Sequence, residues 1–351
     1  MKVSDLGEQA LLELIREWTG GPSRGVLVGA GDDAAVLAAS GEKEIVVSTD
    51  AYRLGVHFSA DYFSPDHIGH RAMAGALSDL AAMGAEGVAA FVNLHVTPQT
   101  DIEYLRKIYQ GMDRIADSCG VVIAGGDTVR GELALGITVI GLVPAGQAVL
   151  RSGAGEGDVI CVTGELGKSE AGRAVLAGEF TGGMPAVMHD EAVAAHRTPR
   201  PRFDVSRLLM KLVRRTVDVE LEHEEVSPVR PTAMIDVSDG LGIDLARLCE
   251  ASGVGCRIEG ERVPVSRAAK RVARAADCDP LELALGGGED FELLFTMGPA
   301  DVEVLFAEAR KASLMITPIG VIVSRREGRV LMTESGVAMS WPQSGYDHFR
   351  R

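Results

Sequence analysis

Basic residues are scarce in this sequence: 35 Lys and Arg stand against 50 Asp and Glu, a formal net charge of −15. So acidic a surface repels nucleic acid and anionic membranes, and any phosphate it handles must arrive with cations. Long apolar runs are missing too, since none approaches the roughly 20 residues that span a bilayer. The first residues, Met1-Lys2-Val3-Ser4-Asp5, lead into an acidic, helix-like stretch instead of an apolar signal segment. Cysteines number five, an odd count, and no pair has C-x-x-C spacing. They read as reduced, cytoplasmic, buried thiols, not as a disulfide framework or a zinc site. Familiar phosphate and nucleophile motifs also fail. Thr163-Gly164-Glu165-Leu166-Gly167-Lys168-Ser169 ends like a P-loop, but the leading glycine of that pattern falls on Val162. Gly286-Gly287-Gly288 lacks the G-x-G-x-x-G spacing, and no G-x-S-x-G elbow offers a serine nucleophile.

What is present is a varied, 46% apolar chain of 351 residues, longer than one core usually supports. Its character changes around Leu150-Arg151-Ser152-Gly153, which sets two expected domains, 1–150 and 151–351. In the first, Leu6, Leu11, Leu12, Leu14 and Ile15 predict a helix over 5–18 that Gly20-Gly21-Pro22 stops. Strands are expected at 26–28, at 45–47 ahead of Ser48-Thr49-Asp50, at 88–96, at 121–124 ahead of Gly125-Gly126-Asp127-Thr128, and at 133–143; helices are expected at 66–84 and 101–118. In the second, strands at 158–163, 232–236 and 315–323 alternate with helices at 203–215, 240–252 and 299–311, an α/β pattern. Residues 178–201, rich in Gly and Pro, read as a long connection.

One stretch organises the rest. Gly31-Asp32-Asp33-Ala34-Ala35-Val36 sets two adjacent carboxylates beside a glycine, and such a pair repels itself unless water, donors or a cation intervene. The design repeats at Ser48-Thr49-Asp50, Asp79, Gly126-Asp127-Thr128 and Asp236-Val237-Ser238-Asp239, with Glu289-Asp290 as a further candidate. Each Asp taken alone is an ordinary turn former or helix cap. Turn chemistry does not explain Asp79, which sits before Leu80-Ala81-Ala82-Met83. Glycines admit a ligand close to the backbone, and oxygen-only donors suit hard divalent cations, magnesium in particular.

Taken in order, these segments resemble the thiamine-monophosphate kinases, within the superfamily of aminoimidazole ribonucleotide synthetase and selenophosphate synthetase. Markers are Gly31-Asp32-Asp33-Ala34, Ser48-Thr49-Asp50, His57-Phe58, Ser78-Asp79-Leu80-Ala81-Ala82-Met83-Gly84-Ala85, Gly125-Gly126-Asp127-Thr128 and Arg151-Ser152-Gly153-Ala154. They continue with Asp236-Val237-Ser238-Asp239-Gly240-Leu241, Gly287-Gly288-Glu289-Asp290-Phe291-Glu292-Leu293 and Gly345-Tyr346-Asp347-His348-Phe349. The resemblance implies ATP-dependent phosphorylation of thiamine monophosphate to thiamine diphosphate. It implies a mixed-sheet N-terminal domain that binds ATP and Mg²⁺ and pairs with a second copy into a shared barrel. The C-terminal α/β domain would complete the substrate site. It assigns Mg²⁺ to Asp33, Ser48, Thr49, Asp50, Asp79, Asp127, Asp236 and Asp239. ATP goes to Gly126, Asp127, Arg151 and Ser238, and the thiamine phosphate to His57, Glu289 and Tyr346. Phe291 stands where the family often has Tyr, so a hydroxyl contact is absent there.

A phosphate acceptor is already largely ionised at neutral pH, its second pKa being about 6, so no general base is expected. The task is to bring two polyanions together, for which cations suffice. Three other readings stay open on the sequence: an aminoimidazole ribonucleotide synthetase-like ligase, a cation-binding interaction protein without turnover, and a metal-dependent phosphatase. Nor does the sequence say which of Glu289 and Asp290 faces the substrate.

Overall fold

A computed structural model describes residues 26–28, 32–39, 41–218, 223–333, 337–339 and 341. The helix expected over 5–18, Gly31, and the Gly345–Phe349 segment with Tyr346 lie outside the described residues.

The first half contains β1 (Val26–Val28), β2 (Ala35–Ala38), β3 (Lys43–Arg53), α1 (Pro65–Ala82), β4 (Glu86–Val96), α2 (Ile102–Ser118), β5 (Val122–Arg130) and β6 (Ala134–Pro144). Its strands form one sheet in the order β1-β2-β3-β6-β4-β5, antiparallel except for the parallel pair β4–β5. The sheet is therefore mixed, as the resemblance implies. β5 lies at its edge.

The second half continues with β7 (Val159–Thr163), α3 (Lys168–Leu176), α4 (Ala186–Arg197), α5 (Phe203–Lys211), β8 (Val213–Asp218), β9 (His223–Pro228), β10 (Ala233–Val237), α6 (Leu241–Ser252) and β11 (Gly255–Glu259). It ends with α7 (Arg267–Ala276), α8 (Pro280–Gly286), β12 (Glu292–Met297), α9 (Pro299–Lys311), β13 (Ile316–Val323), β14 (Arg329–Met332) and β15 (Ala338–Met339). A second mixed sheet runs β10-β12-β7-β13-β11-β14-β15, while β8 and β9 pair as a separate ribbon. The chain is thus an α/β protein with two mixed sheets.

Several expectations need correction. Residues 178–201 are not one connection. Their Gly and Pro cluster at 178–185 and 199–201, and the helix-competent run between them forms α4 with Pro185 at its N-cap. The helix expected over 203–215 stops at Lys211, and β8 takes over at Val213. β3 and β5 do not end before their acidic segments but run through Ser48-Thr49-Asp50 and Gly125-Gly126-Asp127-Thr128. In β5 the reason is packing. A Cβ on Gly126, which has φ +152°, would sit 1.8 Å from the carbonyl oxygen of Val92, so only glycine lets β5 lie against β4 there.

Helix α1 occupies the centre. It is buried nearly all round, from Ile68 to Ala82, which explains its uniformly small and apolar composition. Gly69 and Gly111 let it approach α2 backbone to backbone, since a Cβ on either would lie 1.9 Å from a carbonyl oxygen of the other helix. One core joins α1 and the first sheet to α5, β10 and β12 of the second half, through Leu77, Leu80, Ile137, Phe203, Met234 and Phe295. The C-terminal end of α1 and the end of β10 are thereby held against each other. Each of them carries a carboxylate.

Candidate functional site

Asp33 follows the short bridge at Asp32, Asp79 belongs to the last turn of α1, and Asp236 lies in β10. These residues come from three separated segments, yet one carboxylate oxygen from each falls within 4.8 Å of the others. Asp33 and Asp236 are buried and Asp79 is partly so. Three desolvated carboxylates that close disfavour their own ionisation. Burial, and then the charge of Asp33, pushes Asp236 up to about 7. Burial, and then Asp236 and Asp33, holds Asp79 well above the usual carboxylate range. Asp33 is raised by burial against the opposing pull of Arg151. Its Oδ2 is buried with no hydrogen-bond partner among the described residues.

Other candidates gather around this cluster. In β3 the side chains alternate, so Ser48 and Asp50 share a face and Thr49 takes the other. The Ser48 hydroxyl donates to Oδ2 of Asp79. Asp50 lies beside α1 one turn away; a Cβ on Gly75 would sit 3.0 Å from its Oδ2. Thr49 instead pairs its hydroxyl with that of Thr138 at 3.0 Å, away from the cluster. Arg151 closes the other side. Its backbone N–H donates to both oxygens of Asp32 at 3.1 Å, and its Nη2 donates to Oδ1 of Asp33 at 2.6 Å. Burial, followed by the charge of Asp33, raises Asp32 to about 6.

The segments Asp236–Gly240 and Gly286–Asp290 interlock. Glu289 donates its N–H to the Ser238 carbonyl at 2.7 Å, and Phe291 donates to that of Val237 at 2.9 Å. Glycine makes this possible, because a Cβ on Gly288 would stand 2.4 Å from the Ser238 oxygen. Glu289 itself has φ +67°. It forms an ion pair with Arg71, a fully buried residue of α1 whose Nη1 also donates to the His196 carbonyl. Asp290 turns the opposite way and accepts the N–H groups of Gly167 at 2.6 Å and Ser169 at 2.9 Å. It caps α3, so the P-loop-like segment has a carboxylate where that motif would hold phosphate.

Three more candidates stand apart, as Thr49 does. Asp239 is outside the three-carboxylate cluster and binds Nη1 of Arg247 at 2.5 Å. His57 sits in the turn after β3, accepts the Arg53 N–H on Nδ1 at 3.1 Å and stacks on Tyr52, ring centroids 5.3 Å apart. Asp127 is exposed on β5, with Oδ1 taking the N–H of Thr128 at 2.8 Å. β6 and β4 separate it from β3, about 14 Å at three strand spacings.

Sequence reasoning missed Arg71, Asp244 and Arg247. Arg71 left one signal, a lone guanidinium inside an apolar helical run. Asp244 and Arg247 left a weaker one, an i,i+3 pair just after the Asp236–Gly240 segment.

Comparison with known proteins adds to this geometry. The AIR synthase related protein N-terminal domain matches residues 31–143, and the AIR synthase related protein C-terminal domain matches 155–333. A thiamine-monophosphate kinase of Bacillus subtilis (strain 168) is 34% identical over 330 residues, covering 92% of this chain and 94% of its own. One from Synechococcus elongatus is 37% identical over 299 residues, 85% and 84% of the two chains. The solved structure of AaThiL complexed with AMPPCP and TMP superposes with a TM-score of 0.79 at 27% identity, covering 99% of each chain.

Proposed function

Because this chain belongs to the thiamine-monophosphate kinases of the AIR synthase related family, we propose that it transfers the terminal phosphoryl group of ATP to thiamine monophosphate, giving ADP and thiamine diphosphate. The observation that carries this reading is the buried cluster of Asp33, Asp79 and Asp236. Left alone, such a cluster repels itself. Its oxygen-only donors, raised pKa values and the orphaned Oδ2 of Asp33 fit a hard divalent cation of the magnesium kind. Asp50 and Ser48 would support it from β3. When bound, Mg²⁺ supplies positive charge against the phosphates of donor and acceptor.

The protein's own residues then have distinct tasks. Arg151 is anchored by Asp32 and Asp33 and presents a guanidinium suited to a bidentate grip on nucleotide phosphate. Ser238 lies in the segment between the cluster and Glu289, and we assign it to the nucleotide as well. His57 and Glu289 are assigned to the thiamine phosphate, with Tyr346 from beyond the described residues. Glu289 is neutralised by Arg71, which suits it to accept a hydrogen bond and makes it a poor cation ligand. No side chain has to act as a general base.

Gly126 and Asp127 are too far across the sheet to join the cluster of their own chain. We propose a homodimer in which the first sheet pairs with a second copy and Asp127 completes a neighbouring site. The edge position of β5 and the exposed Val88, Phe91 and Val122 support this. Residues 1–150 then form the nucleotide, cation and pairing domain, and 151–351 complete the substrate site, in keeping with the two family matches.

The test is ADP release from Mg·ATP with and without thiamine monophosphate, with chromatography of the thiamine products. Equal amounts of ADP and thiamine diphosphate, formed only with acceptor, establish the kinase. ADP without acceptor shows a hydrolase. Silence in both arms from a protein that binds Mg·ATP moves the search to the ligase substrates.

A further inference from the structure

Asp244 is fully buried in the first turn of α6, yet every part of its carboxylate is used. Its Oδ2 accepts the N–H groups of Ser238 at 3.1 Å and Asp239 at 2.9 Å, and its Oδ1 accepts Nη1 of Arg247 at 3.0 Å. The same Nη1 reaches Oδ2 of Asp239 at 2.5 Å. One guanidinium nitrogen therefore bridges two carboxylates of unlike standing. Asp244 is sealed inside and tied to the backbone, whereas the Asp239 side chain is 30% exposed and that of Arg247 27%. The charge of Arg247 is felt at Asp33, where it acts in the same direction as that of Arg151, and the two guanidiniums repel each other, so Arg247 belongs to the same electrostatic site as the carboxylate cluster.

We propose that Arg247 is the resident counter-ion of Asp239, displaced from it by a divalent cation and then turned, still anchored on Asp244, onto the phosphate oxygens of the nucleotide. The inference rests on the kinase reading above and extends it to a residue that the family resemblance does not assign. A doubly charged ion and a guanidinium cannot share one carboxylate oxygen without strong repulsion, and the ion carries the larger charge. Arg247 cannot follow Asp239, because Asp244 holds it from the buried side. One N–H of Nη1 is released from Asp239 while the other stays on Asp244, and a phosphate on the partly open side would meet it as part of a planar guanidinium fork. Metal uptake would thus switch on a second phosphate-binding arginine beside Arg151. Before that, Arg247 would keep Asp239 neutralised and its loop in place.

The experiment compares the full chain with its Arg247→Met and Arg247→Lys variants. Each protein is freed of metal with a chelator and titrated with MgCl₂ alone by calorimetry. It is then titrated with the β,γ-methylene analogue of ATP at saturating Mg²⁺. Loss of the competing cation should tighten Mg²⁺ binding in Arg247→Met several-fold, while analogue binding weakens by about tenfold. The KM for ATP should rise with it and the KM for thiamine monophosphate stay within about twofold, with Arg247→Lys in between. If Arg247→Met folds poorly because Asp244 loses its partner, the Asp244→Asn/Arg247→Met double variant removes both charges and should show the same opposed shifts. Unchanged or weaker Mg²⁺ binding, or unchanged analogue binding, overturns the proposal and leaves Arg247 as a loop support. Wild-type protein that takes up no Mg²⁺ at all overturns the metal reading, and this inference with it.

Discussion

The hydroxyl of Ser48 in β3 donates to Oδ2 of Asp79 in α1, tying the sheet to the central helix at the carboxylate cluster. That bond helps Asp79 hold charge against burial and its acidic neighbours Asp236, Asp33 and Asp50. Replacing Asp79 by Asn should lower kcat by about 10²–10³ while the metal-free protein melts no lower than wild type, since one repelling charge is gone. Steady-state kinetics and thermal melts in chelator check this together. Near-normal turnover would remove Asp79 from the machinery.

Metal-free stability should fall as pH rises from about 5 to 8. Asp236 and Asp290 are raised to about 7, and Asp32 to about 6, from an ordinary value of 3.8. In that window the folded state holds protons that the unfolded chain has released, so raising the pH favours unfolding. The contribution is complete below 3.8 and is lost as the pH passes through 6 and 7. Urea melts in chelator at pH 5.5 and 8.0 measure it, and adding Mg²⁺ should restore the share of the loss that comes from Asp236 at the higher pH. A flat or rising profile in chelator would show that burial does not hold these carboxylates protonated.

Glu289 and Arg71 should behave as one unit. Arg71 is entirely buried, so Glu289→Gln leaves its charge uncompensated and should cost about 3 kcal/mol. Arg71→Met should cost a similar amount, and the double variant less than their sum. A double-mutant cycle by urea unfolding gives the coupling energy. Strict additivity would mean that the pair contributes nothing as a pair.

Asp290→Ala should cost about 1–2 kcal/mol through the lost cap of α3. Its effect on the KM for thiamine monophosphate should be smaller than that of Glu289→Gln. The reverse order would put Asp290, not Glu289, at the acceptor.

Legibility in the sequence followed the range of the interactions. The apolar strands, α1, α2 and the alternating second half were readable because periodicity and breakers act over a few residues. So was the recurrence of carboxylates beside small residues. The helix Ala186–Arg197 was obscured by the Gly and Pro on either side of it. The strand continuation through Gly126 was obscured because its cause is the Val92 backbone on another strand.

The sequence by itself determined the chemistry on offer, the family, and the short segments that carry the acidic groups, since each of these is set by residue type and local spacing. Only the tertiary structure decided which groups meet. Arg151 reaches Asp33 across 118 residues and Asp290 reaches Gly167 across 123. Asp79, Asp236 and Asp33 converge because α1 is buried against β10 and the first sheet, while Thr49 and Asp239 turn to other partners. Strand alternation, helix burial and the close approach of glycine backbones fix those directions, and none of them is a property of a motif read alone.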